Sequence, residues 1–295
     1  MNIINKIKKC VGKKASQVEK NINLYKNKII VIKYGGHAMI NPVLAKIFAK
    51  NISLIKEAGI LPIIVHGGGP QINQVLSKFK IKPKFINGLR YTNSSTLEIA
   101  EMVLSGSINK KIASNISLYG SKAIGISGSD NNLIKSKKLF LNSPNVSSKI
   151  DIGFVGTPTN INIEFLKDLL EKNYIPVIAP IGIGTRGQKY NINADTTAGS
   201  IASAIKAKRL IVLTNIPGVI NTKNQLITIL KVTEINRLIS SKIIYGGMIP
   251  KVQTCVNSIK KGVDASVILD GRVQNALLLE LFTDNGLGTL IKKWK

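Results

Sequence analysis

The stretch PIIVHGGGPQ, Pro62 to Gln71, runs three β-branched residues into a histidine, three glycines and a proline. Ile63, Ile64 and Val65 carry no polar interruption, as a strand covered on both faces of a parallel sheet requires. Glycines at the strand's end remove every Cβ where the chain turns, so the backbone can approach a ligand closely. Pro70 suits the first turn of a helix, where a missing N–H costs nothing. The segment reads as strand, glycine loop and helix N-terminus, which gathers N–H donors and a positive dipole end at one spot. That suits an anion; the alternative is a tight βα turn with no ligand, which seldom needs three glycines in a row.

The same grammar recurs on either side. KIIVIK (Lys28–Lys33) is a second buried-type strand, followed at once by Tyr34-Gly35-Gly36 and by helical periodicity over Met39–Ala58. Strand Leu61–Val65 comes next. Ser95–Leu118 reads as one long helix. Ala123–Ile126 is a strand, residues 131–160 are hairpins with Ile150–Val155 as one strand, Ile163–Glu171 is helical, and Ile175–Ala179 is a buried strand. After the loop PIGIGTRG (Pro180–Gly187), YNINAD leads into helix Thr196–Ala207, with Asp195 placed to cap it. Strand Arg209–Leu213, the turn TNIPG, helix Thr233–Ile239, the double-glycine turn YGGMIPK (Tyr245–Lys251), strand Ala265–Leu269, helix Ala276–Phe282 and strand Gly288–Ile291 complete the chain. This end-to-end alternation predicts an α/β fold, an open αβα sandwich around a mostly parallel sheet. Ligands of such sheets bind beyond the carboxyl ends of the strands. Lys33, Gly35, Gly36 and Gly67–Gly69 all fall there. Residues 1–27 precede the first strand; Ile3, Ile4, Ile7 and Val11 fall at helical spacing, which fits either a basic amphipathic helix able to dock on another subunit or a frayed, solvated tail.

Composition narrows the function classes. The chain has 295 residues, two cysteines and two histidines, so neither a disulfide framework nor a zinc site is expected. No apolar run of about 18 residues predicts a membrane span, and the N-terminus lacks the apolar stretch of a signal peptide. The expected location is the cytoplasm. A net charge of +27 raises nucleic acid as a partner. Yet only five of the 42 basic residues are arginine, and the lysines are spread along the chain rather than clustered. Lys, Ile and Asn share A/T-rich codons, so base bias explains the excess, and aromatics at 5% offer few stacking platforms. No nucleic-acid partner is expected.

The glycine loop is not a Walker A motif, lacks dinucleotide-fingerprint spacing, and has no companion nucleophile elbow. Two lysines stand out beside glycine turns. Lys33 ends a buried strand. Lys251 lies in the first turn of a helix, where a cation opposes the helix dipole unless an anion is near. Asp195 can hold both ammonium groups. Phosphoryl transfer uses such a set, because its transition state spreads negative charge over the migrating group. No general base is required when the acceptor is already a carboxylate.

The motifs VIKYGGHAM, VHGGGPQI, GLRYT, YNINADTTAG, LTNIPGV, YGGMIPK and DGRVQNALLLELFTDNGLGT occur in order between about Lys28 and Ile291. Together they resemble the N-acetylglutamate kinase branch of the amino acid kinase family. The resemblance implies transfer of the γ-phosphoryl of ATP to the side-chain carboxylate of N-acetyl-L-glutamate, an early step of arginine biosynthesis. By motif, Lys33 and Lys251 look like the transition-state stabilisers and Asp195 like their organiser. Gly68 and Gly69 would donate N–H groups to substrate or phosphoryl, Arg90 would pair with a substrate carboxylate, and Asn191, ahead of Asn193, would hydrogen-bond the substrate. Gly35, Gly36, Thr214 and Gly218 would serve the nucleotide, with Mg²⁺ held mainly by phosphates and water and no protein metal site. The division implied is 1–27 as an oligomerisation extension, 28–182 as the acylamino-acid and dimerisation lobe, and 183–295 as the ATP lobe. Members with such an extension and tail look like the arginine-inhibited type, a homo-oligomeric ring of three dimers. Their tyrosine, roughly a dozen residues before the catalytic lysine, is replaced here by Asn21, with Tyr25 nearer, which leaves arginine inhibition open. The rival readings are a sister kinase acting on an acylated aminoadipate or carbamate, and a non-catalytic regulatory subunit.

Overall fold

The computed structural model describes residues 2–12, 15–142, 149–284 and 286–293. In chain order the strands are β1 (Ile29–Tyr34), β2 (Leu61–His66), β3 (Phe85–Ile86), β4 (Leu89–Arg90), β5 (Ala123–Ser127), β6 (Ile134–Asn142) and β7 (Lys149–Ile161). They continue with β8 (Ile175–Ala179), β9 (Ile181–Ile183), β10 (Lys189–Asn191), β11 (Arg209–Thr214), β12 (Ile229–Lys231), β13 (Ala265–Asp270) and β14 (Thr289–Lys292). Eight of them form one sheet in the order β12-β14-β13-β11-β1-β2-β8-β5. Every pairing in it is parallel except β13 with β14. Strands β6, β7, β9 and β10 close a small barrel beside it, and β3 and β4 make a short antiparallel pair.

Alternation along each central strand explains why the runs are unbroken. Ile30, Ile32 and Ile64 feed one core, whereas Val31, Ile63 and Val65 feed the other. A strand with both faces covered has no solvent side for polar residues. Helices Pro42–Glu57, Asn109–Ser117 and Ala276–Phe282 cover the first face. Helices Ile163–Glu171, Ala194–Ala204 and Met248–Lys260 cover the second. Among the described residues no helix is long and apolar enough to cross a membrane.

Three expectations change in detail. The helix over Ser95–Leu118 is interrupted by a π turn, Met102–Ile108, between helices Ser94–Glu101 and Asn109–Ser117. One extra residue in a turn rotates the remainder of the helix by about 100°, and Met102, part of the apolar pattern, faces solvent. The N-terminal segment holds two helices, Ile3–Val11 and Val18–Tyr25, and the first buries Ile7 against its own chain. Helix Ala194–Ala204 is capped by Asn193, whose Oδ1 accepts from the N–H groups of Asp195 and Thr196 at 2.8 and 3.1 Å. Asp195 is therefore not the cap; it sits inside the first turn. The 182/183 boundary lies in β9, and the eight-stranded sheet takes β1, β2, β5 and β8 from before it and β11–β14 from after it, each set contiguous in the sheet.

Candidate active site

A cavity of about 290 Å³ opens at the carboxyl ends of the central strands. Its walls include Lys33, Gly35 and Gly36 after β1, Gly67–Gly69 after β2, Arg90 from β4, Asn191 from β10, and Asp195 and Lys251 from two helices.

Lys33 reaches it because of strand parity. It lies on the same face of β1 as Val31, towards the layer containing helix Ala194–Ala204. That helix carries Asp195 in its first turn, where a carboxylate complements the dipole. Asp195 Oδ2 accepts a hydrogen bond from Lys251 Nζ at 2.6 Å. Lys33 Nζ forms the second ion pair of the carboxylate, 3.1 Å from Oδ1. The side chains of Lys33 and Asp195 are each 11% exposed, and that of Lys251 is 21%. Burial pushes Lys33 below its ordinary value, helped by the like charge of Lys251 and opposed by Asp195. Burial alone would raise the Asp195 carboxyl, but the two ammonium groups hold it below its ordinary value. Two cations and one anion leave one surplus positive charge facing the cavity.

The glycine turns make room for these groups. A Cβ on Gly35 would lie 2.9 Å from Lys33 Nζ, and Gly36 has φ +73° with Asn215 Oδ1 in the space its Cβ would need. Tyr34 anchors the turn from below: its hydroxyl donates to Ala38 O at 2.7 Å, and its ring stacks on Phe48. Gly67 N–H donates to Tyr34 O at 2.8 Å and ties the two loops together. Helix Gly69–Lys78 then starts at the cavity, with the positive end of its dipole there.

Arg90 forms the other wall. Its Nη2 donates to Gly69 O at 3.1 Å and its guanidinium stands over the Phe85 ring at 4.8 Å. Nη1 is buried without a hydrogen-bond partner, a donor set for an anion. Burial lowers its proton affinity from the ordinary value. Asn191 Nδ2 donates to Thr92 Oγ1 at 3.3 Å, which leaves its carbonyl oxygen for a ligand amide. Asn193 also lines the cavity, but its oxygen is taken by the helix cap.

Thr214 and Gly218 are not among the lining residues. Thr214 ends β11, and its carbonyl accepts from Gly271 N–H at 2.9 Å. A Cβ on Gly218 would collide with Thr289 Oγ1, so close packing explains that glycine. Phe85 and Leu104 line the cavity without any signal in the sequence. Phe85 lies in a two-residue strand, and Leu104 is turned inward by the π turn. A second cavity, about 410 Å³, is walled by Asn21 and Tyr25 of helix Val18–Tyr25 together with Arg209 and Glu280. Glu280 is committed there to the backbone, accepting from the N–H groups of Leu287 and Gly288 at 2.7 and 3.2 Å.

Residues 28–270 match the model of the amino acid kinase family. The chain is 51% identical over 271 residues to the acetylglutamate kinase of Rhodospirillum centenum, covering 90% of this chain and 89% of that one. It is 50% identical over 275 residues to the acetylglutamate kinase of Zymomonas mobilis, covering 92% and 91%. Among solved structures, an N-acetylglutamate synthase from Neisseria gonorrhoeae superposes with a TM-score of 0.83 at 22% identity, over 96% of this chain and 63% of that one, a likeness of fold.

Proposed function

The chain belongs to the amino acid kinase family, and from that premise we infer that it catalyses the acetylglutamate kinase reaction. The γ-phosphoryl of ATP passes to the side-chain carboxylate of N-acetyl-L-glutamate and gives the acyl phosphate. The observation that carries this reading is the Lys33–Asp195–Lys251 cluster, set across one cavity from the glycine loop and the unpartnered Arg90 donor.

In this reading Arg90 and Asn191 hold the amino-acid end of the substrate, while Gly68 and Gly69 direct N–H groups at the reacting carboxylate and the arriving phosphoryl. Lys33 stabilises the migrating group and Lys251 the leaving side. Asp195 holds both ammonium groups in place and spaced. The acceptor is already an anion, so the residues position and neutralise rather than move protons. Both Asp195 oxygens face lysines. Among the described residues no three acidic, histidine or cysteine side chains converge. That donor set fits a Mg²⁺ carried by nucleotide phosphates and water, which would supply further charge neutralisation when bound. Gly35, Gly36 and the Thr214–Gly218 stretch are assigned to the nucleotide.

Incubation with ATP and N-acetyl-L-glutamate in hydroxylamine tests the reaction by trapping the acyl phosphate. Trapping with carbamate or an acylated aminoadipate, and none with acetylglutamate, would move the substrate to a sister enzyme. No trapping with any acid would favour a regulatory subunit.

Arg90→Ala is expected to raise KM for the amino-acid substrate about ten- to a hundredfold, since a hydrogen bond to a charged group contributes roughly 1.5–3 kcal/mol. KM for ATP should stay near the wild-type value. Equal rises in both constants would contradict the assignment. A second expectation concerns pH. The profile of kcat/KM reports ionisations of the free enzyme, and Lys33 is lowered from 10.5 chiefly by burial. Activity should therefore fall on the alkaline side with an apparent midpoint below 10.5; a profile flat to that point would remove Lys33 from the rate-determining charge set. We also place the enzyme in the cytoplasm and propose a homo-oligomer, a dimer or a trimer of dimers. Sedimentation should show no monomer at micromolar concentration, and a monomer there would refute it.

A further inference from the structure

We propose that Asn109 and His66 form a positioning pair that fixes which way the Gly67–Gly68 peptide faces and thereby aims the Gly68 N–H into the cavity. His66 ends β2 and is fully buried. Its Nδ1 lies 2.9 Å from Gly67 O, and its Nε2 lies 3.1 Å from Asn109 Nδ2. Asn109, also fully buried, is the first residue after the π turn.

The direction of each bond follows from two strand carbonyls. Asn109 Nδ2 is 2.8 Å from Val177 O and 3.3 Å from Ile126 O. Carbonyl oxygens only accept, so this end of the amide must be the NH₂. The NH₂ carries two hydrogens: Val177 O, the nearer carbonyl, takes one, and the other faces His66 Nε2, which must itself accept. The ring proton is left on Nδ1, which donates to Gly67 O. In a trans peptide the C=O and the following N–H point in opposite directions, and the described backbone contains no cis bond. With the Gly67 carbonyl turned back to the ring, the Gly68 N–H faces the cavity. Between two glycines that peptide has little intrinsic preference and could turn over. The imidazole is what holds it.

The π turn delivers the other half of the device. A Cβ on Gly68 would lie 2.6 Å from both Leu104 Cδ2 and Ile108 Cδ1, so the turn backs directly onto the loop. A Cβ on Gly125 would collide with Asn109 Oδ1, so that glycine opens the slot for the amide. Asn109 Oδ1 has no hydrogen-bond partner. Only the donor end of this side chain is employed, which fits a residue present to set a tautomer. His66 itself does no proton transfer: burial lowers it to about 4 and its one N–H is engaged.

The effect on rate rests on the phosphoryl-transfer reading, whereas the tautomer does not. The chain has two histidines, so ¹⁵N-histidine labelling yields two rings, and His37→Gln identifies the second. In the ligand-free wild type between pH 6 and 8, His66 should be neutral with its proton on Nδ1, and Asn109→Leu should shift it towards a mixture. In turnover, His66→Gln, whose amide extends towards the Nε2 position, should lower kcat about a hundredfold, the scale of a small misplacement, with both KM values within about threefold. His66→Asn, whose amide N–H falls near the Nδ1 position, should recover most of that loss. Melting temperatures of the two variants should agree. A ring protonated on Nε2, a wild-type rate in His66→Gln, or equal losses in both variants would overturn the proposal. An inactive wild type would sink the proposed reaction and leave the tautomer to decide this one.

Discussion

Lys251→Ala should lower kcat by about a hundred- to a thousandfold, the range seen when one preorganised charge or donor is removed from a transition state. The same variant should melt within a few degrees of the wild type. Both halves follow from the geometry. Lys251 lies in the first turn of helix Met248–Lys260, where a cation opposes the helix dipole. It also repels Lys33 across the shared carboxylate. Its ammonium is thus held at the cavity by Asp195 at 2.6 Å against two unfavourable terms. Deleting it relieves both terms and leaves Asp195 still paired with Lys33 at 3.1 Å, so no buried charge is orphaned. KM for either substrate should move less than kcat, because the charge counts most when negative charge has spread over the migrating group. Lys251→Arg should restore little, since a planar fork cannot occupy the place of a compact ammonium. A Lys251→Ala kcat within threefold of the wild type would take the residue out of the chemistry.

Features legible in the sequence and features hidden from it divide along physical lines. The central strands were legible because burial on both faces leaves β-branched runs such as Ile29–Ile32 and Ile63–Val65 with no polar interruption. The cavity's position followed, because parallel strands ending in glycine put their loops at one edge. Lys33 and Lys251 could be picked out by their local settings, a strand end and a helix first turn. The π turn could not: 104, 108, 112 and 116 keep a helical step of four, and a single inserted residue leaves no mark on it. Asp195 was expected as the cap because its residue type suits that position; Asn193, two residues earlier, takes the role, and Asp195 faces the two lysines instead. The packing demand on Gly218 was hidden as well, because Thr289, which crowds it, is distant in the chain. The second N-terminal helix, Val18–Tyr25, buries only Val18, Ile22 and Tyr25, too sparse a stripe to separate from a polar tail.

Asp195→Asn tests the cluster as a unit, and stability is expected to report it as clearly as activity. The substitution keeps the shape and removes the only anion between two ammonium groups. Turnover should fall at least a hundredfold, because the lysines lose their spacing as well as their partner. Breaking a buried pair typically destabilises by about 3–5 kcal/mol. The lower end is expected here, since Lys251 is partly exposed and can turn to solvent. Lys33 cannot, and it answers by giving up its proton more readily. Burial already holds it below 10.5 in the wild type. Without Asp195 its folded value drops further, so between that value and 10.5 the unfolded chain holds the extra proton. Stability then rises with pH across that window. Asp195 has the opposite requirement: its carboxyl lies below 3.8 in the folded protein, so its contribution is complete above 3.8 and fades as pH falls through the folded value. The deficit of the variant should consequently be largest near pH 6 and shrink towards pH 9.5 in denaturant titrations. Adding Lys33→Met to Asp195→Asn should recover much of the lost stability and none of the turnover. A deficit that stays constant with pH, or a double variant no more stable than Asp195→Asn alone, would mean that Lys33 does not depend on this carboxylate for its charge.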